Sequence, residues 1–223
     1  MSFAHDAAQA LSLLSEARCV RCVCHRNPDG DAIGALLGMA LLLEQAFPEK
    51  QVTFHCVDPV PEPFRFLPGA LRVQGPPSSV DPADCWIILD CAEAKLTEMT
   101  ETHPQLFDGS VPTLNVDHHP KNPGFGTVNV VEDASSACEV VVRLADHWGW
   151  TIRSETATCL LTGVYTDTGG LLHSNTTPAV YRAVARLLRA DARQQLIVTS
   201  VFRTAKLSTL QLWGRGLEKI NVT

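Results

Sequence analysis

The sequence has no surplus of basic residues. Its 223 residues include 18 Lys and Arg against 24 Asp and Glu, which gives a formal net charge of −6 at pH 7. A protein that covers long duplex nucleic acid neutralises many phosphates with Lys and Arg, so this balance argues against such a surface. It leaves open a short or singly phosphorylated substrate that is held by metal ions.

The sequence also lacks an apolar run long enough to cross a membrane. The apolar stretch 36–47 is short and is interrupted by Glu44 and Gln45, whereas a membrane-spanning helix needs about 20 residues. Residues 1–6 contain no basic segment of the kind that opens a secretory signal peptide. We therefore expect a soluble, cytoplasmic protein with no membrane partner.

A second cysteine pair with metal-ligand spacing is missing as well. Among the eight cysteines, Cys19, Cys22 and Cys24 superficially resemble a metal knuckle, but no partner pair follows them. Without secretory signals, reduced thiols are the default. Because these three cysteines alternate with valines in an apolar run, we expect them to act as small hydrophobic residues of a buried strand.

The composition and the order of elements indicate the fold. Hydrophobic residues make up 45% of the chain and charged residues 19%, as in globular proteins. Apolar strand-like segments alternate with segments of helical periodicity. The strands are expected at 19–24, 51–57, 84–89, 112–116 and 127–131. The pattern predicts an α/β protein whose five-stranded, mainly parallel sheet carries helices on both faces.

Polar side chains follow three of the predicted strands. His25 comes after the first strand, Asp90 after the third, and the Asp-His-His triplet 117–119 after the fourth. The carboxyl ends of parallel strands lie at one edge of the sheet, where ligands bind. Asp29 and Asp31 stand in the same turn as His25, and such closely spaced acidic groups repel one another unless a cation lies between them. We therefore expect a metal site at this edge.

The candidate metal ligands combine carboxylates with imidazoles. They are His25, Asp29, Asp31, Asp90, His118 and Asp167, with Asp117 and His119 beside them. Such donors suit six-coordinate divalent ions, and the imidazoles favour Mn²⁺ or Co²⁺ over Mg²⁺. One ion cannot use all of these groups, whereas two ions about 3.5–4 Å apart, bridged by one carboxylate and a water, would use them well.

Some of these residues also have an ordinary structural explanation. Asp31 is well placed to cap the helix that follows it, and Asp90 alone would be a turn residue. Gly34 is expected to let that helix pack closely on a strand. The segment 135–137 most simply begins another helix, although exposed amides at a helix start could also hold a phosphate.

Four motifs resemble those of a known family. In chain order they are HRNPDGDAIG, ILDCAE, VDHHP and GVYTDTGGLLHSNTT, and together they cover roughly residues 18–178. This set resembles the DHH phosphoesterases and, within them, the nanoRNase/pAp-phosphatase type. Four motifs in the same order are far more specific than a single glycine-rich loop.

The resemblance implies a role for each candidate residue. His25 and Asp29 would bind one metal ion, and Asp90 would bridge it to the second. By the same resemblance, the ligands of the second ion would be Asp31, His118 and Asp167. His119 would be a phosphate ligand or proton donor, and Asp117 would orient the adjacent histidines.

The resemblance also implies an activity and a domain organisation. The expected activity is a Mn²⁺-dependent phosphoesterase acting on very short oligoribonucleotides from the 5′ end and on 3′-phosphoadenosine 5′-phosphate. Members of the family carry a second, smaller domain that grips the distal part of the substrate, and nothing in this sequence corresponds to it. We expect residues 1–190 to form the catalytic domain and residues 191–223 to be linker helices toward that second domain.

Two other functions remain open at this stage. The same metals could serve another substrate, namely polyphosphate, pyrophosphate or a cyclic dinucleotide. Alternatively, the chain could be a nucleotide-binding module without turnover, although such a module has no evident need for two metal positions. The sequence leaves the oligomeric state open, a homodimer included.

Overall fold

The sheet has six strands and all of them are parallel. The structure, a computed structural model, describes residues 2–203 and 207–218, with only the backbone described for 207–210. The strands are β1 Cys19–Cys24, β2 Gln51–His55, β3 Val73–Gln74, β4 Cys85–Leu89, β5 Thr113–Asp117 and β6 Val128–Val131. Their spatial order is β3-β2-β1-β4-β5-β6. The predicted α/β class and the parallel sheet are confirmed.

One strand more than predicted is present. The segment 63–80, which is rich in proline and glycine, lies outside the five predicted strands. Within it the structure forms the short strand β3, which pairs with β2 through Phe54 and Val73 and through His55 and Gln74. A two-residue strand carries too little periodicity for its sequence to reveal it.

The helices lie mainly on one face of the sheet. They are α1 Phe3–Glu16, α2 Gly30–Ala46, α3 Ala137–His147, α4 Ser154–Asp167, α5 Pro178–Arg189, α6 Gln194–Ile197 and α7 Leu207–Leu217. The buried side chains of α1 to α6 share one core with Val20, Cys22 and their neighbours on the sheet. The other face, with Trp86 and Ile88, is covered by segments whose regular parts are short 3₁₀ turns rather than α-helices.

The strand order explains why the polar residues converge. The chain runs outward from β1 to β2 and β3, returns to β4 beside β1, and then runs outward the other way. β1, β4 and β5 are therefore neighbours, and their carboxyl ends lie at the point where the strand order reverses. Ligands of open parallel sheets bind at this point.

Two helices approach each other closely behind this edge. A methyl group added at Gly34 of α2 would lie 2.6 Å from the Cys159 carbonyl oxygen and 3.1 Å from the Gly163 nitrogen, both in α4. Gly34 was expected to pack on a strand, and that expectation was wrong, because its close partner is a helix backbone. This close packing brings Asp31 at the start of α2 near Asp167 at the end of α4.

The cysteines agree with the expectation from the sequence. All eight cysteines are free thiols, and Cys22 and Cys24 are buried in β1 as expected. In the part of the chain that the structure describes, no helix has both the length and the apolar composition needed to cross a membrane. Within the segment 191–223, for which linker helices are predicted, α7 ends at Leu217, and residues 204–206 and 219–223 lie outside the described residues.

We expect Gly34→Ala to destabilise the domain by about 1–3 kcal/mol, because the added methyl group meets backbone atoms that cannot move aside without shifting α4. The measurement is urea unfolding followed by circular dichroism. Gly214→Ala is the matched control, since no atom lies within 4 Å of the added methyl group. Equal stability of the wild type and Gly34→Ala would contradict the close helix contact.

Candidate metal centre

All eight residues singled out from the sequence meet at the carboxyl edge of the sheet. Their ligand atoms form three overlapping groups, within each of which the atoms lie no more than 4.8 Å apart. The groups are His25, Asp29 and Asp90; Asp31, His118 and Asp167; and Asp90, Asp117, His118 and His119. Four different segments of the chain therefore contribute to one cluster of carboxylates and imidazoles.

Asp90 lies between the two halves of this cluster. Its Oδ2 is 3.5 Å from His25 Nε2, and its Oδ1 is 3.4 Å from His118 Nε2. The side chain is 3% exposed, and Oδ1 has no hydrogen-bond partner among the described residues. The Asp90 backbone has a φ of 56°, a left-handed conformation that is uncommon outside glycine and marks functional sites when the surrounding structure holds it.

The first half of the cluster is built by the turn between β1 and α2. The Nδ1–H of His25 donates to the Arg26 carbonyl oxygen at 2.7 Å, which leaves Nε2 free to face Asp90. Asp29 is the N-cap of α2, and its Oδ1 accepts from the backbone nitrogens of Asp31 and Ala32 at 2.9 and 3.0 Å. The cap was expected at Asp31, so that expectation was wrong by two residues.

Asp31 instead binds the beginning of a different helix. Its two oxygens accept from the Ala137 and Cys138 nitrogens at 2.6 and 3.0 Å, at the N-terminus of α3. The positive end of the helix dipole stabilises a fully buried carboxylate there. The idea that the amides at 135–137 could hold a phosphate is therefore not supported for Ala137, because this protein carboxylate already occupies its amide.

His118 forms the second half of the cluster with Asp31 and Asp167. Its Nε2 lies 3.8 Å from Asp31 Oδ2 and 3.5 Å from Asp167 Oδ2. Asp167 is the last residue of α4, and its side chain is 23% exposed, the most open of the three. The Nε2 atom of His118 therefore faces three carboxylates, namely Asp31 of α2, Asp167 of α4 and Asp90 after β4.

Asp117 and His119 form a separate pair beside the cluster. His119 Nδ1 donates to Asp117 Oδ1 at 2.8 Å, while its distance to Asp90 Oδ1 is 3.8 Å. The Asp117 side chain is fully buried, whereas the His119 side chain is 41% exposed. His119 is thus held from behind by a carboxylate and is open to solvent in front.

The carboxylates of the cluster repel one another. Burial, followed by the charges of Asp90 and Asp167, raises the pKa of Asp31. Burial and then the charges of Asp90 and Asp29 raise the pKa of Asp167 to about 7. Burial also opposes ionisation of Asp90, but its contacts with His118 and His25 outweigh burial and lower its pKa.

The pKa values of two imidazoles are raised as well. Burial lowers the pKa of His25 and His118, but their pairing with the Asp90 carboxylate and the other nearby negative charges outweigh it and raise both values to about 9. The hydrogen bond to Asp117 is the largest cause that raises the pKa of His119. Positive charge is therefore strongly favoured at this place in the molecule.

The residues present fit divalent metal ions. The donors are carboxylate oxygens and imidazole nitrogens, the types that hard and borderline divalent ions take. The unpartnered oxygen of buried Asp90 would gain a partner from a cation, since an unpaired buried polar atom is costly. The protein thus contains a His/Asp cluster capable of holding metal.

Some contributors to the site were missed from the sequence. Asn122 donates through Nδ2 to Asp117 Oδ2 at 2.6 Å, and Asn175 donates to the Asp167 and Ser135 carbonyl oxygens. Asn115 and Asn129, which interrupt otherwise apolar strands, were the available signal, because a polar residue at a buried strand position needs a partner. The partner itself could not be identified without the fold.

The sequence of this chain is similar to the sequences of curated proteins. The chain is 37% identical over 165 residues to a protein of Thermus thermophilus named bifunctional oligoribonuclease and PAP phosphatase NrnA, covering 74% of this chain and 48% of that protein. It is 33% identical over 174 residues to a protein of the same name from Mycoplasma pneumoniae, covering 75% and 52%. The chain spans about half the length of these curated relatives.

The fold is also found in a solved structure, and the sequence profile of one protein family matches most of the chain. The crystal structure of an exopolyphosphatase-related protein from Bacteroides fragilis superposes with a TM-score of 0.87 at 25% identity, covering 98% of this chain and 66% of that one. The profile of the DHH family, N-terminal domain, matches residues 19–164. With the His/Asp cluster in place at the sheet edge, this chain belongs to the DHH family.

Proposed function

We propose that this chain carries the catalytic centre of a two-metal phosphoesterase that hydrolyses very short oligoribonucleotides and 3′-phosphoadenosine 5′-phosphate. The observation that carries the proposal is the position of Asp90, whose two oxygens face two different His/Asp groups. The similarity to relatives named oligoribonuclease and PAP phosphatase supports the substrate class.

The ligands divide between two metal positions in this proposal. His25 and Asp29 would hold one ion, and Asp90, whose oxygens face both groups of residues, would contribute to both positions. The second position is formed by Asp31, His118 and Asp167, whose ligand atoms lie within 4.8 Å of one another. We propose Mn²⁺ for both positions because imidazole donors favour it over Mg²⁺, with Co²⁺ or Mg²⁺ as substitutes.

The ions supply chemistry that the side chains alone lack. When bound, two such ions lower the pKa of water to generate a nucleophile and offset the charge that develops on the phosphoryl oxygens. The positions of the protein's side chains determine where this chemistry would take place. Asp31, fixed by the amides of α3, and Asp29, fixed by those of α2, cannot rotate freely, so the site is organised in advance.

His119 is the proposed residue that meets the substrate directly. Its Nδ1 is engaged by Asp117, so Nε2 is the nitrogen that can face a phosphate oxygen. Asp117 raises the pKa of His119, which favours the protonated form of the ring. His119 can then donate a hydrogen bond to a phosphate oxygen or a proton to the leaving oxygen.

The domain organisation belongs to the same proposal. We propose that residues 1–190 contain the catalytic domain and that the helices described within 191–223 act as linker helices, with residues 204–206 and 219–223 outside the described residues. In α7, Leu212, Trp213 and Leu217 are exposed, as expected for a helix whose contacts lie elsewhere. The contacts that choose substrate length would then lie outside the described residues, since stacking of bases needs a dedicated surface.

A second candidate substrate class is inorganic polyphosphate or pyrophosphate. The similar Bacteroides fragilis structure is described as exopolyphosphatase-related, which favours this candidate over a cyclic dinucleotide. The metal positions would be the same for both substrate classes. The two classes differ only in the group that is attached to the phosphate. A module without turnover is less favoured, because the cluster offers ligands for two ions.

A substrate panel tests the proposed function. With Mn²⁺, we expect the protein to release mononucleotides from RNA dinucleotides and phosphate from 3′-phosphoadenosine 5′-phosphate, detected by liquid chromatography. Polyphosphate and pyrophosphate are the comparison substrates. Phosphate release from these alone would replace the proposed substrate class, and tight nucleotide binding without any hydrolysis would contradict the enzymatic function.

Asp90→Ala should reduce bound Mn²⁺ below two ions per chain and reduce hydrolysis more than about 100-fold, because it removes the carboxylate that both halves share. Metal content after desalting is measured by mass spectrometry. Asp108→Ala is the matched control, because it removes an exposed carboxylate that accepts a hydrogen bond from the Ser110 backbone nitrogen. If Asp90→Ala retained two Mn²⁺ ions per chain, the proposal that both metal positions share Asp90 would be refuted.

Mn²⁺ affinity should rise with pH between about 7 and 9. His25 and His118 have pKa values of about 9, so near pH 7 each holds a proton that must leave before the nitrogen can bind a metal. Each displaced proton strengthens binding by about tenfold per pH unit in this range. Calorimetry in two buffers of different ionisation enthalpy counts the protons; no release on Mn²⁺ binding would contradict the assignment.

A further inference from the structure

Three asparagine side chains form a network behind the Asp117–His119 pair. Asn115 on β5 is fully buried, while Asn122, in the loop after His119, and Asn129, on β6, are partly buried. Asn115 Nδ2 donates to Asn122 Oδ1 at 3.0 Å and to Asn129 Oδ1 at 3.1 Å. Burying amides is costly unless they are paired, and these amides are paired with one another and with nearby loops.

Asn122 is the member of this network that touches the site. Its Nδ2 donates to Asp117 Oδ2 at 2.6 Å, while Asp117 Oδ1 accepts from His119 at 2.8 Å. Both oxygens of the carboxylate are thereby engaged. The same Nδ2 donates to the Cys91 carbonyl oxygen at 3.0 Å, directly after Asp90. Asn122 thus joins the Asp117–His119 pair to the segment that carries Asp90.

The orientation of the Asn122 amide is determined by its surroundings. Its Oδ1 accepts from the Gly124 nitrogen at 2.8 Å and from Asn115 Nδ2. Because two donors face Oδ1, the NH₂ group is turned toward Asp117 and Cys91. A neutral donor at this place holds the carboxylate without adding a positive charge that would compete for Asp117 with the imidazole of His119.

We propose that Asn122 is a positioning residue for the reaction: it fixes the Asp117 carboxylate so that His119 presents Nε2 to the substrate phosphate. The inference rests on the proposed function of His119. Residues that orient the ligands of a metal site through hydrogen bonds typically contribute 10–100-fold to activity, and we expect an effect of this size for Asn122. A purely structural role, in which Asn122 only shapes the loop 119–124, is the alternative that the experiment must exclude.

The kinetic test uses matched asparagine variants. With Mn²⁺ and bis(p-nitrophenyl) phosphate, Asn122→Ala should lower kcat about 10–100-fold while KM changes little and both metal ions remain bound. Asn129→Ala removes another amide of the same network that does not touch Asp117, and should leave kcat within about twofold. Equal losses of kcat in both variants, or loss of metal in Asn122→Ala, would overturn the proposal.

A double variant separates positioning from a general structural effect. If Asn122 acts through His119, then Asn122→Ala should cause almost no further loss of kcat in the His119→Ala background. The same fold-loss in both backgrounds would overturn the inference. If Asn122→Ala does not fold, Asn122→Asp replaces it, since that variant keeps the shape and the acceptor but loses the donor; activity equal to the wild type would contradict the proposal.

A spectroscopic readout keeps this inference separate from the proposed function. In the protein loaded with Mg²⁺, which is diamagnetic and leaves nearby signals observable, the ¹⁵N and ¹H signals of the His119 Nδ1–H group report its hydrogen bond to Asp117. We expect these signals to shift or broaden in Asn122→Ala and to be unchanged in Asn129→Ala. Unchanged His119 signals in Asn122→Ala would refute the positioning role even if the wild type proves to hydrolyse none of the proposed substrates.

Discussion

The repulsion among buried carboxylates at the sheet edge is the constraint on which this site depends. Asp31, Asp90 and Asp167 converge on one imidazole nitrogen of His118, and the Oδ1 atom of Asp90 forms no hydrogen bond with the described residues. Folding brings these groups together against their mutual repulsion, so the cluster requires positive charge. Two protons on imidazoles can supply part of it, and divalent ions would supply it more fully.

The surrounding fold serves to hold these charges in place. The reversal of strand order puts β1, β4 and β5 side by side, which delivers ligands from three strand ends. The N-termini of α2 and α3 bind the carboxylates of Asp29 and Asp31 through backbone amides. The glycine contact between α2 and α4 brings Asp167, a candidate ligand, close to Asp31. The contacts that stabilise the fold therefore also position the candidate ligands.

Much of this arrangement could be predicted from the sequence, and the remainder could not for physical reasons. Alternating apolar segments revealed the parallel sheet, and polar residues after three strands revealed the site, because both follow from local patterns. The strand β3, the partner of Asp31 and the packing of Gly34 depend on contacts between distant segments. Asn122 was missed for the same reason: an asparagine in a loop looks like a turn residue until its carboxylate partner is located.

The central claim is that two metal ions share Asp90. The most direct measurement is anomalous X-ray diffraction from crystals of the protein grown with Mn²⁺. The account predicts two manganese peaks per chain, one beside His25 and Asp29 and one among Asp31, His118 and Asp167, with an Asp90 oxygen bound to each. A single peak, or two peaks of which only one contacts Asp90, would contradict it.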